Sequence, residues 1–173
     1  MNTVDLGLSV LWGDCNLGAD TPEDQGGFYT WNEAVKKVND QDLAGQMLGK
    51  GWRLPTYKEV EELLCNKLRP VFFPGIGLQG LEVYGKNGNS IFLPSNSKGL
   101  NVIVPRDANY WSSSLDDDDS NMASQFRFDL NGVHGGCNKK DYGQLIRPVF
   151  DKHLFDELNK QSGFFSKLKQ LFK

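Results

Sequence analysis

Near the start of the chain apolar residues recur at Val4, Leu6, Leu8, Val10 and Leu11, close to the period of two expected of a strand with one face on a core. The run closes at Trp12, and Asp20 to Gly27, with Pro22 and the pair Gly26-Gly27, reads as a loop. The period then lengthens. Trp31, Ala34, Val35 and Val38 share one face of a short helix. Thr56-Tyr57-Lys58-Glu59 is a capping box: the threonine oxygen and the glutamate three residues on each satisfy a backbone amide that the first helical turn leaves without a partner. Val60, Leu63 and Leu64 supply this second helix with a buried stripe, and Pro70 is expected to end it.

Beyond Pro70 the pattern becomes one of strands and tight turns. Leu81 to Tyr84 and Ser90 to Leu93 flank Gly85-Lys86-Asn87-Gly88-Asn89, where an Asn-Gly step predicts a hairpin because both residues tolerate positive φ. Gln125 to Leu130 alternates Phe126, Phe128 and Leu130 with polar residues, and Asn131-Gly132 predicts a second hairpin into Val133. Leu145, Arg147 and Val149 suggest a last strand in which Pro148 needs an edge or bulge position. Pro74 to Gly80 and Ser95 to Ala108 show no period and are expected to be loops. The order of strand, two helices and several short strands predicts an α+β domain.

A chain of 173 residues fits one core, and a composition of 39% hydrophobic and 24% charged residues is that of a soluble globular protein. The net charge of −3, with no concentrated basic footprint in residues 1–150, argues against nucleic acid as a partner. Met1 to Asp5 shows no basic segment leading into an apolar run, so no secretory signal is read there, and no stretch has the apolar length of a membrane span. Cys15, Cys65 and Cys137 are far apart and form no metal-binding or redox pair motif; plain thiols are expected.

Five blocks in order carry a resemblance. They are Val4 to Trp12; Gly51-Trp52-Arg53-Leu54-Pro55-Thr56; Gly85 to Pro94; Tyr110-Trp111-Ser112-Ser113-Ser114; and Gly143-Gln144-Leu145-Ile146-Arg147-Pro148-Val149. Together they resemble the Fibrobacter succinogenes major paralogous domain, a C-type-lectin-like module abundant in Bacteroidetes. The resemblance implies a C-type-lectin-like fold over residues 1–150, with two short helices and a small, mainly antiparallel twisted sheet. It implies a non-enzymatic recognition or adhesion module that presents a variable loop surface at the cell surface or in secreted form, and says little about the ligand. Residues 151–173 lie outside it.

Trp12, Trp52 and Trp111 are expected in the core, and Trp31 there in preference to a groove. Arg53 and Arg147, each beside a proline in a strand-like block, are expected to pair with a buried carboxylate or cap loop carbonyls. Asp116 to Asp119, with Ser120 and Asn121, offers clustered oxygens, yet it lacks the EF-hand glycine and distal glutamate; a solvated loop and no metal are expected. The surrounding stretch from Leu115 to Tyr142 is the candidate ligand surface, for a protein or a glycan, through Asp116, Asp117, Asp118, Asn121, Met122, Arg127, His134, Asn138 and Tyr142. These residue types suit adaptable hydrogen bonding more than catalysis. His134 and His153 fall in no motif that joins them to a nucleophile or metal, so no catalytic residue and no cofactor is assigned.

From Asp151 the pattern is amphipathic. Leu154, Phe155 and Leu158, then Phe164, Phe165, Leu168, Leu171 and Phe172, predict two short helices separated by Ser162-Gly163. Lys167, Lys169 and Lys173, with no acidic residue after residue 160, suit a membrane surface or a partner's groove, through which the chain would serve as an assembly component; packing on its own domain is the alternative.

Overall fold

The alternating N-terminal segment folds as two short strands, β1 (Thr3–Val4) and β2 (Leu11–Gly13), paired antiparallel with Thr3 opposite Gly13. The computed structural model describes residues 1–73, 77–95 and 107–160. Between β1 and β2 the chain turns: Gly7 has φ +74° and donates its N–H to Asp5 Oδ1. Leu6, Leu8 and Val10 are nevertheless buried. The single strand expected from Val4 to Trp12 is therefore corrected, since a turning segment buries every second side chain as well as a strand does.

Three helices precede the larger sheets, where two were expected. Helix α1 (Trp31–Val35) carries a capping box from Thr30 and Glu33. It stops short of Val38 because Val38 to Gln41 is a tight turn with Asn39 and Asp40 at φ +50° and +62°. Helix α2 (Leu43–Leu48) is capped by Asp42, which accepts from Gly45 N–H; its six residues include Gly45, which blurs the helical pattern. Helix α3 (Tyr57–Leu64) has the predicted Thr56–Glu59 box. It ends at Leu64, with Cys65 N–H bonded to Glu61 O, and so Pro70 does not terminate it. Pro70 lies instead inside β4 (Lys67–Phe73), an edge strand, where a sheet tolerates proline.

The expected small sheet is three antiparallel ones. β3 (Trp52–Arg53) and β10 (Val149–Phe150) join the N-terminal strands in the order β1-β2-β10-β3, so the closing block is held between the first and second blocks. Pro148 stands just before β10, where it costs no ladder bond, and its carbonyl accepts from Gly13 N–H. β4 pairs with β5 (Gly77–Tyr84), which pairs with β6 (Ser90–Pro94). β7 (Asp107–Leu115), β8 (Met122–Asp129) and β9 (Gly132–Lys139) form the third sheet. Gly77 to Gly80 and Asp107-Ala108 are thus strand, not loop, while residues 74–76 and 96–106 lie outside the described residues. Both Asn-Gly hairpins form, but only the glycines, Gly88 at +88° and Gly132 at +133°, have positive φ; Asn87 and Asn131 do not.

Tyr110 and Trp111 are neighbours in β7 and face opposite sides, so the third sheet has an apolar cluster on each face. On one side Tyr110 stacks on Phe126 at 4.9 Å between ring centroids, beside Trp12, Val60 and Leu63. On the other Trp111 meets Trp31, Leu17, Leu54 and Ile146; its Nε1 donates to Tyr29 O at 2.9 Å, and Trp31 Nε1 donates to Ser112 O at 2.9 Å. Trp12, Trp31 and Trp111 are core residues as expected, whereas Trp52 is half-buried.

Arg147 is fully buried and joins two sheets. Its Nη1 donates to Gly13 O at 2.9 Å, Nη2 to Phe92 O at 2.6 Å and Nε to Asn16 Oδ1 at 2.9 Å. Asn16 Nδ2 in turn donates to Gln25 O and Tyr110 Oη, and Tyr110 Oη donates to Pro94 O at 2.8 Å. Burial pushes the Tyr110 hydroxyl up to about 12, so it stays a donor.

The chain is helical again over residues 152–160, here α4. Phe155 meets the Phe150 ring edge-on at 6.1 Å, and Lys152 Nζ lies 3.1 Å from Asp5 Oδ1. The first half of the amphipathic segment thus packs on the domain. Phe164, Phe165, Leu168, Leu171 and Phe172 lie outside the described residues.

Two substitutions test this core by chemical denaturation. Trp111→Ala is expected to cost about 3–5 kcal/mol, the range for emptying a buried aromatic site. Arg147→Met, which leaves Gly13 O, Phe92 O and Asn16 without their donor, is expected to cost about 3 kcal/mol. A midpoint within error of the parent protein in either case would show that the site is not part of the cooperative core.

Candidate functional site

The nine hairpin residues proposed from sequence do not converge. Asp116, Asp117, Asp118 and Asn121 occupy the turn between β7 and β8, while Arg127 and His134 face one another across β8 and β9 toward the opposite end of the hairpin. Asn138 and Met122 are half-buried beside the acidic turn, and Tyr142 is exposed beyond β9.

The acidic turn is organised by its own backbone. Asp116 Oδ1 accepts from the amides of Asp118 and Asp119 at 2.8 and 2.9 Å, and Asp119 Oδ1 accepts from Asn121 N–H at 2.8 Å. A hydrogen bond from the Cys137 thiol, then these amides, hold Asp116 below the usual carboxylate range. Burial and the facing Asp116 carboxylate push the Cys137 thiol up. All three cysteines are free thiols. At the other end Asp129 lies 3.4 Å from His134 Nε2 and 3.9 Å from Arg127 Nη2; the Asn131 amide, then His134, lower its pKa. Among the described residues no three His, Cys, Asp or Glu side chains are grouped so as to hold a metal ion.

Side chains do converge at the other end of the molecule. A depression of about 740 Å³ opens between the turn before α2, the Lys50–Arg53 segment and the start of α4. Its lining includes Trp52, whose indole is held edge-on to the Phe150 ring with centroids 5.3 Å apart. Around it stand Lys37, Asn39, Asp40 and Lys50, all exposed and with no side-chain partner among the described residues. His153, Leu154 and Glu157 of α4 complete the wall. Gly51, at φ +100°, lets the chain pass beneath: a Cβ there would meet Phe150 Cζ at 2.5 Å and Leu154 Cδ2 at 2.9 Å.

Two of the charged groups in the lining serve the frame. Asp42 accepts from Gly45 N–H at 3.1 Å and Leu54 N–H at 2.8 Å, fixing α2 against β3. Arg53 clamps Glu59 with Nη1 at 2.8 Å and Nη2 at 2.6 Å, the carboxylate pairing foreseen for it, while Arg147 takes the carbonyl-capping role. Burial works against the Glu59 charge, but the Arg53 guanidinium and the Thr56 amide outweigh it and hold the carboxyl below its ordinary value.

Sequence reading placed Trp52 in the core and passed over residues 37–42. The one local signal was Asn39-Asp40, two residues that accept left-handed backbone and so form a tight turn. Compared with family models, curated proteins and solved structures, the chain matches none of them.

The Arg53–Glu59 clamp predicts an acid-sensitive frame. Because the folded Glu59 has a pKa below its ordinary 4.5, its contribution is present above that value and is lost as pH falls through the lower folded value. Glu59→Gln is expected to cost about 2 kcal/mol at pH 7 and less at pH 3, measured by denaturation at both. An equal cost at the two pH values would remove the clamp from the acid limb.

Proposed function

We propose that residues 1–150 are a C-type-lectin-like recognition module without enzymatic activity, and that its ligand, a glycan, docks in the Trp52 depression with α4 completing the wall. The five-block resemblance supports the module. The observation that carries the ligand site is the convergence of Lys37, Asn39, Asp40 and Lys50, whose side chains have no partner among the described residues, around an indole that Phe150 holds in place. A sugar ring presents C–H faces that stack on an indole and hydroxyls that pair with such groups. The volume lies within the range of about 300–1,000 Å³ typical of small-molecule sites. Asp42 and Arg53 serve the frame of the depression, held by backbone amides and by Glu59.

A glycan array followed by calorimetry tests this reading. The double variant Lys37→Ala, Lys50→Ala is expected to weaken binding by roughly tenfold or more with an unchanged melting temperature. Truncation after Lys160 should preserve binding, and truncation after Phe150 should abolish it. Saturable binding lost instead on Arg127→Ala or His134→Ala would move the site to the hairpin. Failure to bind any glycan would overturn the proposal.

A further inference from the structure

Among the described strands of five residues or more, three edges are capped or guarded and one is not. In an antiparallel ladder the backbone groups of alternate residues point to the neighbouring strand and those between them point away. On β7 the outward residues are Asn109, Trp111 and Ser113, and their groups are bonded: Leu145 N–H to Asn109 O, Trp111 N–H to Leu145 O and Ser113 N–H to Pro55 O. On β6 the carbonyls of Phe92 and Pro94 are taken by Arg147 and Tyr110. β4 is guarded by Pro70, by the cations Lys67 and Arg69 over the Tyr84 ring, and by a bulge between Val71 and Phe72.

Of these devices β9 has only the exposed Lys139 at its end. Lys140 N–H donates to Asn121 O, so alternation directs Asn138, Gly136, His134 and Gly132 at β8 and leaves Val133, Gly135, Cys137 and Lys139 facing outward. Lys139 is satisfied, its N–H by Asn138 Oδ1 and its carbonyl by Tyr142 N–H. Val133, Gly135 and Cys137 have no outer partner among the described residues, and Gly135 and Gly136 are exposed. The Tyr57 hydroxyl lies 2.0 Å from where a Gly135 Cβ would sit, so the strand is bare at its centre and supported from behind by α3.

Charge at the two ends selects the occupant. At one end Asp107 and Asp129, paired across the sheet, outnumber Arg127, and at the other the four carboxylates of the Asp116–Asp119 turn outnumber Lys139 and Lys140. A second copy of β9 would set acidic ends against acidic ends in either orientation, which like-charge repulsion disfavours. We propose that β9 takes up an extended segment of a partner protein by strand addition, with Lys or Arg at the segment's two ends and uncharged residues between. This surface is separate from the Trp52 depression.

The test uses the full chain and the peptide acetyl-Lys-Val-Thr-Val-Thr-Val-Lys-amide, followed by ¹⁵N-resolved amide shifts. Saturable shifts are expected at residues 132–139. Roughly tenfold or greater weakening is expected for the Glu-flanked peptide, and loss of binding for a peptide N-methylated at alternate amides. Gly136→Lys, whose Cβ meets nothing within 4 Å, is expected to keep the fold and weaken binding of the Lys-flanked peptide similarly. Absence of saturable shifts up to about 1 mM peptide, or equal binding of the N-methylated peptide, would overturn the proposal. So would concentration-dependent self-association that protects the β9 amides, which would assign the edge to a second copy.

Discussion

A fully buried guanidinium holds this structure together. Arg147 is fully buried, and its donors reach Gly13 of one sheet, Phe92 of a second, and Asn16, which passes the network on to Tyr110 of the third. Taking such a charge out of water is costly, and the cost is offset by the oxygens that Nε, Nη1 and Nη2 each reach. A displacement of any of the three segments leaves a buried donor or carbonyl without a partner. The sheets are individually small, of three or four strands, so this shared polar centre and the aromatic layers around it set their mutual placement.

That placement decides where function can reside. With apolar clusters on both faces of the third sheet, most of β8 is buried, and the polar residues of the β8–β9 hairpin are confined to its two ends and its outer edge. They make a ridge with separated charges, not a pocket. The concave surface arises elsewhere, where β3 and β10 bring Trp52 next to Phe150 and α4 folds back against Gly51. Asp42 and the Arg53–Glu59 clamp pin that corner, which leaves the side chains of Lys37, Lys50, Asn39 and Asp40 around it without partners among the described residues.

Edges receive the same local treatment. Pro70 and the β4 cations block one, Arg147 and Tyr110 cap another, and Leu145 and Pro55 cover β7. At β9 the requirement is different: the Tyr57 hydroxyl occupies the space where a Gly135 side chain would begin, and the glycine that admits it lies on the bare outer edge.

By itself the sequence determined the features that depend on a few adjacent residues. The Thr56–Glu59 capping box, the two glycine-closed hairpins, the burial of Trp12, Trp31 and Trp111, and the α+β class all follow from side chains acting on their own backbone or from short periodicity. The same periodicity misled where burial and strand geometry part, at Leu6 to Val10, and where a short helix contains glycine, at α2. Only the tertiary structure decided the division into three sheets, the insertion of β10 between β2 and β3, and the gathering of residues 37–42, 50–53 and 151–157 around one depression. These contacts join segments separated by as many as 134 residues or more, and local propensity carries no information about which distant carbonyl a buried guanidinium will reach.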